Sequence, residues 1–309
     1  MKNKKEKNPE ETLNPPLNFA KTLGEFAVEI NGLQKKFGNF GIDVTFSLPK
    51  GSIMGFVGKN GAGKTTTIKA ILNMLNRDGG EIKIFGLDNL EHEAQIKQKI
   101  GVVMDSPFYE ENWTLAQVGR VLEPFYAEWD NHRFNKMLND FSLDPNKKIK
   151  ELSRGMKMKI MVAAALAHNP DLLILDEPTG GLDAVARDEL VEILKSFIGA
   201  GNKSILFSTH ITSDLEKIAD YITFINNGKI VHSDTKYNLL EKYVMVKGKQ
   251  EILDDEQKRI IVGFDETKSG FEGMIDRGDI GKMPKAVVTE PCTLDDIVVR
   301  FNKEGGRSK

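Results

Sequence analysis

Eight residues constrain this chain more than any others. Positions 58–65 read Gly-Lys-Asn-Gly-Ala-Gly-Lys-Thr: one glycine, four residues, then Gly63, Lys64 and Thr65. An unbroken apolar run, Ile53–Val57, leads in, and a pattern of helical period over 66–76 leads out. The order is strand, glycine-rich loop, helix. Without Cβ atoms in the way, the backbone N–H groups of such a loop turn inward around phosphate oxygens. The helix N-terminus adds partial positive charge at the same place. At average composition this spacing arises by chance in about one chain in a hundred of this length. The stretch therefore predicts a nucleotide phosphate site lined by Gly58, Asn60, Gly61, Gly63 and Thr66. Lys64 would reach the β- and γ-phosphates, and the Thr65 hydroxyl would ligate Mg²⁺.

The rest of the composition narrows the class. A chain of 309 residues is long enough for one large domain or two unequal ones. Its net charge of −2 lacks the basic excess of a nucleic-acid binder, so no nucleic-acid partner is expected. The single cysteine, Cys292, has no internal partner for a disulfide, which suits a reducing compartment. No apolar run approaches the roughly 18 residues of a membrane span, and no secretory leader is legible. The expected setting is cytoplasmic.

Along the chain, residues 1–24 are rich in Lys, Asn, Glu and Pro and read as a flexible tail. Alternation predicts a strand over 26–30, a turn at Gly32, and a second strand over 42–48. A turn at 78–80, a helix over 91–100 and a strand over 100–104 follow. Residues 106–150 change in kind, with eight aromatic residues and helical patterns, one of which aligns Phe134, Met137, Leu138 and Phe141. A helix starts near Ser153, and Leu172 to Leu175 form an apolar strand that ends in Asp176-Glu177-Pro178. A helix over 186–197 and strands over 204–208 and 221–225 complete an alternating pattern, which implies a mainly parallel sheet. Residues 233–309 read as a separate accessory domain. Its expected strands lie near 244–246, 259–262 and 286–288, and its last helix is capped by Thr293 and Asp296.

Taken in order over 26–231, these motifs resemble the ATP-binding subunit of ABC transporters, in the ABC-2 type exporter branch. The resemblance implies an α/β fold: a P-loop NTPase cassette with a mainly parallel core sheet, an antiparallel β subdomain and a helical subdomain at about 106–170. The cassette would span 25–232, with a small α/β extension over 233–309. It also implies an ATPase that uses ATP and Mg²⁺.

Roles carry over position by position. Asp176 matches the Walker B carboxylate that holds Mg²⁺. Glu177 is similar to the glutamate that orients and deprotonates the attacking water, and His210, within Ser-Thr-His, to the switch histidine on the γ-phosphate. With Lys64 these two form the expected catalytic set. Phe37 stands where an aromatic ring stacks on adenine. Ser153 and Gly155 match the signature motif, which in the family faces the γ-phosphate held by a second subunit, and Asp183 lies in the D-loop at that seam. Two departures are visible. Arg154 and Met156 replace residues of the usual Leu-Ser-Gly-Gly-Gln, giving Leu-Ser-Arg-Gly-Met. Asp105 stands at the Q-loop glutamine, where a carboxylate only accepts hydrogen bonds but can contact nucleotide or Mg²⁺.

The resemblance further implies separate transmembrane permease subunits, a homodimer or heterodimer of ATPase subunits, and a peripheral position on the cytoplasmic face of the membrane. Similar Leu-Ser-Arg-Gly-Met cassettes serve export of antimicrobial or amphipathic peptides. The alternative is a soluble ABC-type ATPase not coupled to transport. Phe108, Tyr109 and Trp113, close to Asp105, are the expected docking aromatics for the transmembrane partner.

Overall fold

The computed structural model of the chain describes residues 26–199 and 201–304. The expected tail, 1–24, lies outside the described residues. In chain order, strands β1 (Phe26–Phe37), β2 (Phe40–Pro49) and β3 (Ile53–Val57) precede helix α1 (Lys64–Ile71). Then come β4 (Gly79–Ile84), β5 (Leu87–Asp88), α2 (Glu93–Lys97) and β6 (Ile100–Val103). Three helices follow, α3 (Leu115–Leu122), α4 (Asn131–Asp140) and α5 (Arg154–Leu166). The chain returns to the sheet with β7 (Leu172–Asp176), α6 (Ala184–Gly199), β8 (Ser204–Thr209), α7 (Thr212–Ile218), β9 (Tyr221–Asn226) and β10 (Lys229–Thr235). It ends with α8 (Lys236–Lys242), β11 (Tyr243–Gly248), α9 (Asp255–Ile260), β12 (Val262–Thr267), β13 (Gly270–Asp276), β14 (Val288–Pro291) and α10 (Leu294–Glu304).

Ten strands make one sheet, in the order β5-β4-β1-β2-β10-β9-β3-β8-β7-β6. Strands β9, β3, β8, β7 and β6 run parallel to one another, while β9 pairs antiparallel with β10, and β1 antiparallel with β2 and β4. The parallel strands β3, β7 and β8 are buried at every position, which is why β3 and most of β7 read as continuous apolar runs rather than alternating ones. Beside the sheet, α3, α4 and α5 close on a separate apolar cluster of Leu115, Val118, Phe134, Leu138 and Ile160. Thr114 starts α3 with a reciprocal cap: its backbone N–H donates to Gln117 Oε1 at 2.7 Å, and its hydroxyl accepts from Gln117 N at 3.2 Å.

A second sheet, β12-β13-β11-β14, carries α10 against it. Phe301 of α10 packs among Phe224, His232 and Tyr243, so the core of this sheet is continuous with the first. The same helix meets α7: the Thr212 hydroxyl donates to Asp295 at 3.0 Å, and Leu294 N donates to Glu216 at 3.1 Å.

Several local expectations shift. The turn expected at Gly32 is an irregularity inside one long strand, where the β1–β2 register slips between Ile30 and Leu33. The helix expected over 66–76 stops at Ile71, because Asn73 turns left-handed (φ 57°) and Met74 N bonds back to Lys69 O at 2.8 Å. The helix expected over 91–100 is the short α2. The strand expected near 259–262 starts only at Val262, because Asp254 and Gln257 cap each other and nucleate α9 through Ile260. The strand expected near 286–288 is shifted to Val288–Pro291, and the β12–β13 hairpin was not foreseen.

Candidate active site

Four parallel strands deliver the site. Val57 pairs with Thr209, Asp176 with Ser208, and Val103 with Leu175, so β3, β8, β7 and β6 end side by side. The residues just beyond those ends are Gly58, His210, Glu177 and Asp105. Crevices at the carboxyl ends of parallel strands are where open α/β sheets bind ligands.

The loop over 58–63 is tight for stated reasons. A Cβ on Gly58 would collide with the Ile225 carbonyl oxygen. At Gly63 the backbone is left-handed (φ 114°), and a Cβ would lie 2.8 Å from Ile42 Cγ2. Both positions exclude side chains, which leaves the loop backbone free to face an anion. Asn60, Gly61 and Thr65 are exposed at its rim, and Thr66 is half-buried.

Lys64 is the first residue of α1 and is only 5% exposed. Its ammonium donates to Gly58 O at 2.6 Å and Lys59 O at 3.3 Å, so it curls under the loop. It also lies 2.9 Å from Glu177 Oε1. The other carboxylate oxygen, Oε2, is 2.7 Å from His210 Nδ1 and accepts from His210 N at 3.4 Å. Glu177 therefore stands between the P-loop cation and the histidine. Its Oε1 is buried and makes no hydrogen bond, so its contact with Lys64 is one of charge, and an acceptor position stays open. Its backbone is left-handed (φ 51°), a conformation costly for a non-glycine residue and typical of functional sites.

Asp176 is 2% exposed, and its Oδ1 accepts from the Ser208 hydroxyl at 2.6 Å. The Ser208 backbone oxygen, in turn, accepts from Glu177 N at 3.0 Å. Ser208 thus orients both acids. Sequence reasoning missed it; the only signal is a hydroxyl two residues before His210, after the apolar run Ile205–Phe207. Thr65 and Asp176 supply hard oxygen donors suited to Mg²⁺. Among the described residues no cluster of three or more His, Cys, Asp or Glu could hold a metal alone. Few protein ligands with phosphates completing the set is the usual Mg²⁺ pattern. Ser208→Ala is expected to lower Mg²⁺ affinity or Mg²⁺-dependent turnover by about 10-fold or more, since it removes the bond that orients the ligand. A Mg²⁺ titration of the reaction checks it.

Among the described residues, the remaining positions make no hydrogen bond or ion pair with this group. Phe37 ends β1 and is 44% exposed. Ser153 caps α5, its hydroxyl accepting from Met156 N at 3.2 Å, with Gly155 in the first turn. Asp183 precedes α6 and accepts from Ala186 N at 2.8 Å. No hydrogen bond or ion pair of the described residues joins Ser153 or Gly155 to 58–65 in the same chain. Asp105 is exposed and pairs with Arg154 at 2.8 Å.

Beside Asp105 an apolar cleft of about 620 Å³ opens between the sheet and the helical segment, lined by Met74, Met104, Phe108, Phe125 and Met161 among others. The three expected docking aromatics separate here. Phe108 is 74% exposed, whereas Tyr109 and Trp113 pack against the helical cluster. Burial pushes the Tyr109 hydroxyl well above the usual phenol range, as expected for a ring set into a core.

Comparison with known proteins agrees with this geometry. A family model described as "ABC transporter" matches residues 42–180. The ABC transporter ATP-binding protein YtrB of Bacillus subtilis is 30% identical over 205 residues, 66% of this chain and 70% of YtrB. The lantibiotic transport ATP-binding protein SrtF of Streptococcus pyogenes is 34% identical over 208 residues, 66% of this chain and 89% of SrtF. A solved ATP-binding subunit of an ABC transporter superposes with a TM-score of 0.64 at 29% identity, covering 69% of this chain and 91% of that one.

Proposed function

Because this chain belongs to the family of ABC transporter ATP-binding subunits, whose ATP hydrolysis powers transport, we propose the following division of labour for its residues. The backbone over 58–63 and Lys64 bind the β- and γ-phosphates of ATP, and Phe37 stacks on the adenine. Thr65 and Asp176 hold Mg²⁺, which when bound offsets phosphate charge. Glu177 accepts the proton of the attacking water, and His210 orients that carboxylate and the γ-phosphate. Ser153 and Gly155 face the phosphates of a second chain across a head-to-tail dimer, with Asp183 at the seam.

One observation carries this reading: Glu177 bridges Lys64 and His210 at the end of the glycine-rich loop. A phosphate arriving at Lys64 competes with Glu177 for the ammonium. Binding therefore frees the carboxylate for water just when the substrate is in place. Phosphate release by the purified chain, measured with and without Mg²⁺, tests it; no release above buffer overturns it.

In this reading the ATPase works for separate membrane subunits, in line with the transporter roles named for YtrB and SrtF; among the described residues no helix is long and apolar enough to cross a membrane. The transmembrane partner docks an apolar helix in the cleft at Phe108, and the chain sits peripherally on the membrane through that contact. The cargo we propose is an amphipathic peptide, in line with the lantibiotic transport named for SrtF. A cassette uncoupled from transport would have no use for so exposed an apolar rim. Phe108→Ala is expected to leave the melting temperature unchanged and to weaken co-purification with the transmembrane partner. Tyr109→Ala, in contrast, is expected to lower the melting temperature, because that half-buried ring packs against the helical cluster. Normal partner binding by Phe108→Ala would move the docking site elsewhere.

A further inference from the structure

The two departures from the family pattern meet in space. Asp105 stands two residues beyond the end of β6, and Arg154 opens α5; they lie 49 positions apart in sequence. Arg154 Nη2 donates to Asp105 Oδ1 at 2.8 Å. The same guanidinium lies on the turn that leaves Glu177. A Cβ on Gly181 would lie 3.0 Å from its Cζ, Nε and Nη1, and one on Gly180 would lie 3.4 Å from Nη2. That turn is short and self-bonded: Gly180 N donates to Glu177 O at 3.1 Å, and Leu182 N donates to Thr179 O at 3.2 Å. It also carries backbone strain at Glu177 (φ 51°), while Gly181 takes a left-handed conformation (φ 69°) that glycine adopts freely. Strained backbone persists only where its surroundings hold it.

The electrostatics of α5 explain why the carboxylate is needed. The helix has no acid in its first turn and carries Arg154, Lys157 and Lys159 near its N-terminus. Cations are disfavoured at that end of a helix. Asp105 supplies the missing negative charge and fixes one rotamer of a long side chain. Both partners are more than half exposed, so the pair contributes little to global stability. Its effect is on position rather than on folding.

We infer that Arg154 is a positioning residue: held by Asp105, its guanidinium braces the turn from Glu177 to Gly181, so that the loop after β6 and the Glu177 carboxylate are set by one ion pair. A displacement of the loop at 105–108 then reaches the Glu177 turn through Arg154, without passing through the sheet. The kinetic consequence rests on the ATPase reading given above; the structural one does not.

The test compares the full chain with Arg154→Ala, Asp105→Ala and the double variant. Hydrogen exchange at the Gly180 and Leu182 amides is read beside melting temperature, kcat and KM for ATP. Each single variant should raise exchange at those two amides about ten-fold, while α10 amides and the melting temperature stay as in the parent. The double variant should raise it no further than either single, because one interaction is being removed twice. The kcat should fall by about five-fold or more with KM changed less than about two-fold, the split expected when only the transition state loses support. Unchanged exchange in either single variant, or effects that multiply in the double, would overturn the brace. If exchange responds but no protein releases phosphate, the brace stands and the ATPase reading fails. If phosphate release is normal and exchange is unmoved, the reverse holds.

Discussion

Glu177→Gln is expected to keep ATP binding and to lose turnover by about 10²- to 10⁴-fold, the usual worth of a positioned general base. The reasoning begins with Lys64. In the wild-type chain its ammonium is answered by Glu177 Oε1 at 2.9 Å. An incoming phosphate must displace that carboxylate. Gln is nearly isosteric but neutral, so it neither competes for the ammonium nor accepts a proton from water. ATP affinity should therefore be equal to or tighter than wild type while the chemistry stops. The contacts over 58–63 are untouched, and the amide can still accept from His210. Nucleotide binding by calorimetry and phosphate release by a coupled assay check the two halves separately. Turnover near the wild-type rate would remove Glu177 from its role.

Lys64→Ala is expected to have the opposite profile. Hydrogen bonds to charged groups are worth about 1.5–3 kcal/mol, so ATP affinity should fall by about 10- to 150-fold. The lost ammonium also leaves Gly58 O and Lys59 O without its bonds, at 2.6 and 3.3 Å, inside a loop that excludes side chains at both ends. Glu177 keeps His210 as its partner, so its carboxylate is not abandoned. The defect should appear in binding first and in turnover as a consequence. Calorimetric titration of ATP into folded Lys64→Ala decides it, and unchanged affinity would contradict the phosphate role.

The parts of the fold that were legible in sequence are those written in local grammar. β3, the glycine loop and α1 follow one another without a gap, and the apolar run of β7 ends where its two acids begin. Parallel, doubly buried strands announce themselves as continuous apolar runs, and alternating strands and helices fix the architecture. What was not legible depends on distant partners. Nothing near Ser208 says that its hydroxyl meets Asp176, because that contact is a register between β7 and β8. Asp105 and Arg154 each read as an isolated departure, and only the packing of the helical segment against the sheet joins them. Phe108 and Tyr109 are neighbours with the same apparent chemistry, yet Phe108 is exposed while Tyr109 packs in part against the helical cluster. The α9 helix was missed for a local reason: apolar residues near 259–262 outweighed the Asp254–Gln257 cap.

A single chain carries Lys64, Glu177 and His210 in one group but holds Ser153 and Gly155 away from it. If those two residues complete the site of a second chain, nucleotide itself must drive pairing. Sedimentation of Glu177→Gln tests this most directly, since that variant is expected to bind ATP without hydrolysing it. With Mg²⁺ and ATP the mass should double from 34.5 kDa, with ATP retained, and it should return to the single-chain value with ADP. A species that stays at 34.5 kDa while saturated with ATP would contradict the shared site and, with it, the roles assigned to Ser153 and Gly155.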